Sequence, residues 1–237
     1  MRLHGIDGCK TGWVVVSSDR ALKDLSVRIV APALIGALFR ECAEIAGQIA
    51  IDVPIGLAEH APRSCDFAAR KLLGRPRASS VFPAPCRATL LATSYAEACE
   101  LNEAASGRRV SRQTYGILPK ICEVDAALIP EIQRTVRESH PEVTFAHLSG
   151  GGRGLMSNKK RAAGSTVRVE LLRPCLPAFD AIQERNSLGK SNVALDDVID
   201  AAACLLAAER IARGTACTLP GGEPEYDQRG LRMEIAY

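Results

Sequence analysis

Aspartates stand at the ends of two apolar, strand-like runs of the sequence and at the start of an alanine-rich helix. Asp7 ends the run that begins at Arg2, and Asp52 ends the run that begins at Gln48. The third group comprises Asp196, Asp197 and Asp200. A carboxylate at the end of a buried strand is costly unless a cation compensates it. Three such places in one chain predict a site for a divalent metal ion.

Each aspartate also has a purely structural interpretation. Asp7 and Asp52 each suit a turn or a cap. Acids in the first turn of a helix are favoured by its dipole, which applies to the third group. Asp200 is harder to explain in this way, because the small side chains after it let the helix approach a sheet and leave this carboxylate poorly solvated. Asp197, three residues earlier, shares its helix face.

Phosphodiester cleavage fits this set of residues. Two Mg²⁺ or Mn²⁺ ions about 4 Å apart can activate a water molecule and stabilise the leaving oxygen. Mg²⁺ prefers oxygen ligands, so carboxylates suffice to hold it. The predicted metal ligands, which are also predicted catalytic residues, are Asp7, Asp52, Asp197 and Asp200. Asp196 is expected to lie behind them.

Further candidates for the site are less specific. Glu142 is predicted as a catalytic residue, either a ligand or a general base, with His140 as a proton shuttle. A helix that starts at Pro141 explains the same segment. The predicted phosphate-binding residues are Arg112, Lys120, Lys159 and Lys160. A solvated helix face and a mobile basic loop are the structural alternatives for these cations.

Length and composition set the class of protein. The chain has 237 residues and a net charge of +3, so any nucleic-acid partner must bind a local basic patch. No run approaches the roughly 20 apolar residues of a membrane helix, and the N-terminus lacks an apolar signal segment. Nine scattered cysteines without a Cys-x-x-Cys pattern are typical of reduced thiols. We expect a cytoplasmic protein with no membrane association.

The elements predicted around these residues have the order β-β-β-α-β-α-β-α. Strands are predicted at 2–6, 12–17, 25–30, 48–53 and 133–139, and a helix at 32–46. Short polar links favour an antiparallel meander for the first three strands, and the crossover helix allows the fourth to lie parallel to the first. We therefore expect Asp7 and Asp52 on adjacent parallel strands.

A helical insertion is predicted after the fourth strand, at about 60–130. Its helices are predicted at 65–73, 95–105 and 113–128, and we expect it to pack on the main sheet as part of a single domain, 1–237. A basic loop at 150–161 follows. The last elements are predicted as helices at 162–173 and 194–213 and strands near 216–219 and 231–236.

The order of aspartate-bearing strands and the final helix with Asp-x-x-Asp-Ala resembles the ribonuclease H-like superfamily, in particular its RuvC-like resolvases. Local strings resemble a family of predicted RNase H-like nucleases known as domain of unknown function 429. These strings are Gly5–Val16, Ile51–Gly56, Ser80–Pro85, Ser111–Lys120, His140–Phe145 and Gly230–Ile235. The resemblance extends from Gly5 to Tyr237.

The resemblance implies an α/β fold with a mixed five-stranded sheet and a metal-dependent nuclease acting on DNA or RNA. Asp7, Asp52, Asp197 and Asp200 match the acids of the family pattern, although resolvases carry a glutamate where this chain has Asp52. Resolvases act as dimers, which leaves a homodimer open, but the chain shows no separate dimerisation motif. Two alternatives remain open: a nucleotide-binding or phosphotransfer protein of the actin-like ATPase type, and a noncatalytic module that binds nucleic acid or protein.

Overall fold

The computed structural model describes residues 1–60 and 62–237, and its first three strands form an antiparallel meander. They are β1 (Arg2–Cys9), β2 (Gly12–Asp19) and β3 (Ser26–Val30). A 3-10 turn and α1 (Ile35–Glu44) cross over to β4 (Gln48–Ile51), which pairs in parallel with β1. The predicted meander and crossover are confirmed. The valines of β2 suit a strand that is buried on both faces.

A fifth strand, β5 (Val136–Glu138), pairs in parallel with β4. The sheet order is β3-β2-β1-β4-β5, which confirms the predicted mixed five-stranded α/β sheet. The strand predicted from residue 133 is too long, because the chain first makes the short helix α6 (Pro130–Gln133). The helices before it are α2 (Ser64–Leu73), α3 (Tyr95–Ser106), α4 (Arg112–Gly116) and α5 (Leu118–Ala127). The helix predicted at 113–128 is thus divided in two, since Pro119 cannot continue α4 and suits the first turn of α5.

The C-terminal part adds four helices and two small sheets. The helices are α7 (Pro141–Leu148), α8 (Ala162–Leu172), α9 (Ala181–Leu188) and α10 (Leu195–Arg213). Helix α9 was not predicted, because its polar sequence shows no apolar stripe. The short strands are β6 (Thr218–Leu219), β7 (Glu225–Tyr226), β8 (Arg232–Met233) and β9 (Ile235–Ala236), paired as β6–β9 and β7–β8. Across the described ranges, no helix combines the length and apolar character needed to cross a membrane.

Alternate residues of the central strands enter two separate cores. Ile6 and Trp13 pack on one face with α1 and α5, whereas Leu3 and Val14 pack on the other face with α7, α8 and α10. This alternation is the period of a strand. Helix α10 therefore covers the face of the sheet that carries the odd-numbered side chains of β1 up to Asp7.

Candidate functional site

The parallel pairing of β1 and β4 places Asp7 beside Asp52. The last parallel pair is Ile6 with Ile51, and each aspartate follows directly. The N–H of Asp52 donates to the carbonyl of Ile6 over 2.9 Å. Asp7 is not at the tip of its strand, because β1 continues to Cys9 in its antiparallel pairing with β2. The predicted neighbouring positions of the two aspartates on parallel strands are confirmed.

Small residues bring α10 down onto the same face of the sheet. Gly5 lies two residues before Asp7, and a Cβ atom there would lie 2.0 Å from the backbone nitrogen of Leu205. Ala50, two residues before Asp52, packs against alanines and a cysteine of α10. The close approach leaves no room for a larger side chain at Gly5, and it carries Asp200 over the two strand aspartates.

Three carboxylates meet at this edge of the sheet. One oxygen atom each from Asp7, Asp52 and Asp200 lies within 4.8 Å of the other two. Asp7 and Asp52 are partly exposed, and Asp200 is buried. The backbone N–H of Gly8 donates to Asp7 Oδ1 over 2.6 Å. The expected convergence of acids from two strands and the last helix is confirmed for these three residues.

Burial and mutual repulsion make the three carboxylates reluctant to ionise. Burial raises the pKa of Asp7 well above its usual value, and the charges of Asp52 and Asp200 raise it further. Burial also raises the pKa of Asp52. The pKa of Asp200 rises to about 6 because it is buried, although Lys159 acts to lower it. Such a site gains from any cation placed between the acids.

Lys159 provides a cation from within the chain. Its ammonium group pairs with Asp200 Oδ2, and the nearby carboxylates raise the pKa of Lys159. This lysine, which was predicted to hold substrate phosphate, is thus already paired with a carboxylate. The other oxygen of that carboxylate, Asp200 Oδ1, is buried and has no hydrogen-bond partner among the described residues.

Glu142 lies beside the acids but is already paired. Both of its carboxylate oxygens accept hydrogen bonds from the buried guanidinium of Arg168, at 2.6 and 2.8 Å. This pairing disfavours the predicted role of Glu142 as a ligand or base. His140 caps α7, because its Nδ1 accepts the N–H of Glu142 and its Nε2 lies 3.3 Å from the carbonyl of Ser80. With both nitrogens engaged, His140 is poorly placed to be the predicted proton shuttle.

Two predicted site residues lie outside the group. Asp197 Oδ2 accepts the N–H of Ala194 over 3.0 Å, so this carboxylate caps the start of α10 and does not belong to the converging set of Asp7, Asp52 and Asp200. Arg112 stacks on Tyr95, with 3.9 Å between its guanidinium carbon and the ring centre. It is not among the described residues that line the cleft above the acids. Each side chain is held by a contact outside the group of three acids.

A cleft of about 750 Å³ opens above the carboxylates. Cations line its wall: Arg77, Lys120, Lys159 and Lys160. The ammonium group of Lys120 donates to the carbonyl of Gly12 over 2.8 Å and lies 4.5 Å from the ring centre of Trp13. Lys160 is exposed. Lys120 and Lys160 thus line the cleft, and their binding of phosphate stays a prediction.

A second charged group at the cleft was missed. The guanidinium of Arg63 bonds both carboxylate oxygens of Glu138, at 2.6 and 2.8 Å, and pairs with Asp66 at 2.5 Å. Arg63 also donates to the carbonyl of Ile55, just beyond Asp52, over 3.0 Å. All three charged residues are buried. Glu138 ends β5 as Asp52 follows β4, so the strand-end signal was present in the sequence.

Comparison with known proteins identifies the family of this chain but gives no activity for it. The model of the family described as "Protein of unknown function (DUF429)" matches residues 5–225. Neither the curated proteins nor the solved structures include a significant match to this chain.

Proposed function

Since the chain belongs to the DUF429 family, whose description names no activity, we propose a function from the site itself: hydrolysis of phosphodiester bonds in DNA or RNA, dependent on Mg²⁺ or Mn²⁺. The observation that carries this proposal is the convergence of Asp7, Asp52 and Asp200 beneath a cleft lined by cations. The acids on β1, β4 and the last long helix also support assignment to the RNase H-like fold.

The three carboxylates can share such an ion. Neighbouring ligands of an octahedral Mg²⁺ ion lie about 3 Å apart and opposite ligands about 4.2 Å apart, since each bond is about 2.1 Å long. The oxygens here lie within 4.8 Å of one another, so the side chains would draw together around the ion. The buried, unpartnered Oδ1 of Asp200, noted above among the described residues, provides a free anionic ligand atom. An ion held there would activate water and neutralise charge on the phosphate.

The walls of the cleft suit an anionic substrate. Lys120 and Lys160 would bind phosphate oxygens beside the acids, and Phe82 offers an apolar ring that is 37% exposed at the same cleft. Cationic walls increase the local concentration of an anion even when the net charge of the protein is small. The substrate is therefore expected to bind along the cleft with one phosphate above the carboxylates.

The test is cleavage of a panel of single- and double-stranded DNA and RNA by the purified chain with Mn²⁺. Asp52→Asn should lower the rate by at least about a hundredfold, because removal of even indirect metal contacts costs 10–100-fold. Asp24→Asn is the matched control, since Asp24 is exposed and pairs with Arg2 at the opposite end of β1. Full Mn²⁺-dependent cleavage by the Asp52 variant would contradict the mechanism.

A further inference from the structure

We propose that the acid cluster binds a single divalent ion and that Lys159 supplies the second positive centre of the site. This inference rests on the proposed metal-dependent function and specifies its stoichiometry. Two-metal sites use their second ion to stabilise charge on the reacting phosphate. Here the ammonium group of Lys159, which pairs with Asp200, supplies a positive charge beside the acids without a second ion.

The number of carboxylates favours one ion. Asp7, Asp52 and Asp200 converge, whereas Asp197 is bonded to the backbone of Ala194. The three ionised carboxylates carry a charge of −3, and pairing with Lys159 reduces it to −2. One divalent ion balances that charge. A second ion would leave an uncompensated positive charge in a partly desolvated site, which is unfavourable.

In this proposal one oxygen of Asp200 binds Lys159 and the other binds the metal ion. Oδ2 accepts the ammonium group of Lys159, and Oδ1 is buried without a hydrogen-bond partner in the described part of the chain. The residue is only 1% exposed, so water does not compensate the second oxygen. A buried anionic oxygen without a partner is costly, which makes Oδ1 the position for a metal ligand. The lysine and the ion can thus bind the same carboxylate together.

The chain holds Lys159 in place through its backbone. The hydroxyl of Ser165 donates to the carbonyl of Lys159 over 2.9 Å. Gly164 lies so close to the same loop that a Cβ atom there would be 1.9 Å from the carbonyl oxygen of Asn158. Arg168 donates to the carbonyl of Ser157 over 3.2 Å and is itself paired with Glu142. The loop is therefore anchored to α8 and α7, which positions Lys159 over α10.

Calorimetric titration of the full chain with Mn²⁺ tests the proposal. We expect one Mn²⁺ per wild-type chain and loss of this binding in Asp52→Asn. Lys159→Met should bind the ion at least about tenfold more tightly, because a fixed positive charge near the ion is removed. Lys159→Arg keeps the charge and should bind like the wild type. Lys23→Met, which removes an exposed lysine in the turn before β3, should also leave the affinity unchanged.

Amine acetylation followed by mass spectrometry distinguishes a retained lysine from a displaced one. Lys159 should react more slowly than its exposed neighbour Lys160 both with and without Mn²⁺. A rise of Lys159 labelling to the level of Lys160 on addition of Mn²⁺ would show that the ion displaces the lysine, and the proposal would be wrong.

The titration separates this inference from the proposed function. Two Mn²⁺ ions lost together in Asp52→Asn would overturn the single ion, and an unchanged affinity in Lys159→Met would overturn the role of Lys159. Either result would leave a metal-dependent enzyme intact. Absence of Mn²⁺ binding, or binding that survives Asp52→Asn, would overturn the metal site and both proposals with it.

Discussion

At the scale of single residues, the site is a set of charges that the fold keeps close together at a cost. Burial raises the pKa of Asp7, Asp52 and Asp200, and their mutual repulsion adds to the effect on Asp7 and Asp200. The positive charge of Lys159 offsets only part of this repulsion. Groups whose environment is this unfavourable without a ligand are frequent at functional sites.

Replacement of Asp52 should stabilise the protein in the presence of a chelator. The pKa of Asp52 is raised in the folded state, so its contribution to stability is present below the unfolded pKa and is lost as pH rises through the folded pKa. Asp52→Asn should therefore raise Tm at pH 7.5 by about 2–4 °C. The difference from wild type should shrink as pH falls, because the wild-type carboxyl then takes up a proton. A lower Tm for the variant at pH 7.5 would show that this carboxylate stabilises the fold.

Glu142 is expected to stabilise the fold and not to bind metal. Glu142→Gln leaves the buried Arg168 without its counter-charge, which should lower the free energy of unfolding by about 3–5 kcal/mol. Chemical denaturation measures this change, and titration should still show one bound Mn²⁺ ion per chain. The double variant Glu142→Leu with Arg168→Met removes both charges and should recover much of the loss. Loss of Mn²⁺ binding with an intact fold would restore the original prediction that Glu142 is a ligand.

At the scale of elements, the site depends on how closely one helix approaches two strands. Gly5 and Ala50 are small residues, so the sheet surface is low there. The small residues of α10 after Asp200 pack against this surface. The same strand faces carry Asp7 and Asp52 two residues further on, because side chains in a strand alternate. The packing that buries the helix thus also brings the three acids together.

A single methyl group at Gly5 should disturb this arrangement. In Gly5→Ala the new Cβ would lie 2.0 Å from the nitrogen of Leu205 and 2.1 Å from the carbonyl oxygen of Ala201, so α10 must move away. We expect a loss of about 3 kcal/mol in the free energy of unfolding and weaker Mn²⁺ binding. Gly221→Ala is the control, because a Cβ there meets no described atom within 4 Å. Equal stability of the two variants would contradict this account of the helix–sheet contact.

At the scale of the whole molecule, the segment between β4 and β5 forms one wall of the cleft and is connected to the sheet through buried groups. Ile121 and Val124 of α5 pack in the same core as Ile6. The indole N–H of Trp13 donates to Glu123 over 2.8 Å, and Arg63 joins Asp66 of α2 to Glu138 of β5. These contacts make independent unfolding of the segment unfavourable.

The insertion and the sheet should therefore unfold together. Trp13 is the only tryptophan of the chain, and its fluorescence reports the contact between β2 and α5. Far-ultraviolet circular dichroism reports mainly the helices. In guanidinium chloride the two signals should give coincident transitions, as expected for a two-state protein. Separate midpoints would show that the insertion is an independent unit.

Much of the architecture was predictable because it depends on local patterns. Alternation of apolar residues, short polar links and an alanine-rich helix predicted the meander, the parallel fourth strand and α10. The signals failed where local and tertiary preferences diverge, as at the division of α4 from α5 and in the polar helix α9. The family match is consistent with the resemblance seen in the sequence, whereas the nuclease activity, the metal and the nucleic-acid partner stay predictions.

The sequence by itself determined the order of strands and crossover helix that lets Asp7 and Asp52 lie side by side, because these elements follow from short-range patterns. Only the tertiary structure decided that Asp200 joins them and Asp197 does not, that Lys159 pairs with Asp200, and that Arg168 neutralises Glu142. Charges far apart in sequence choose partners according to where burial and close packing place them. That placement depends on the contact of α10 with Gly5 and on the anchoring of the loop to α8, which no local pattern encodes.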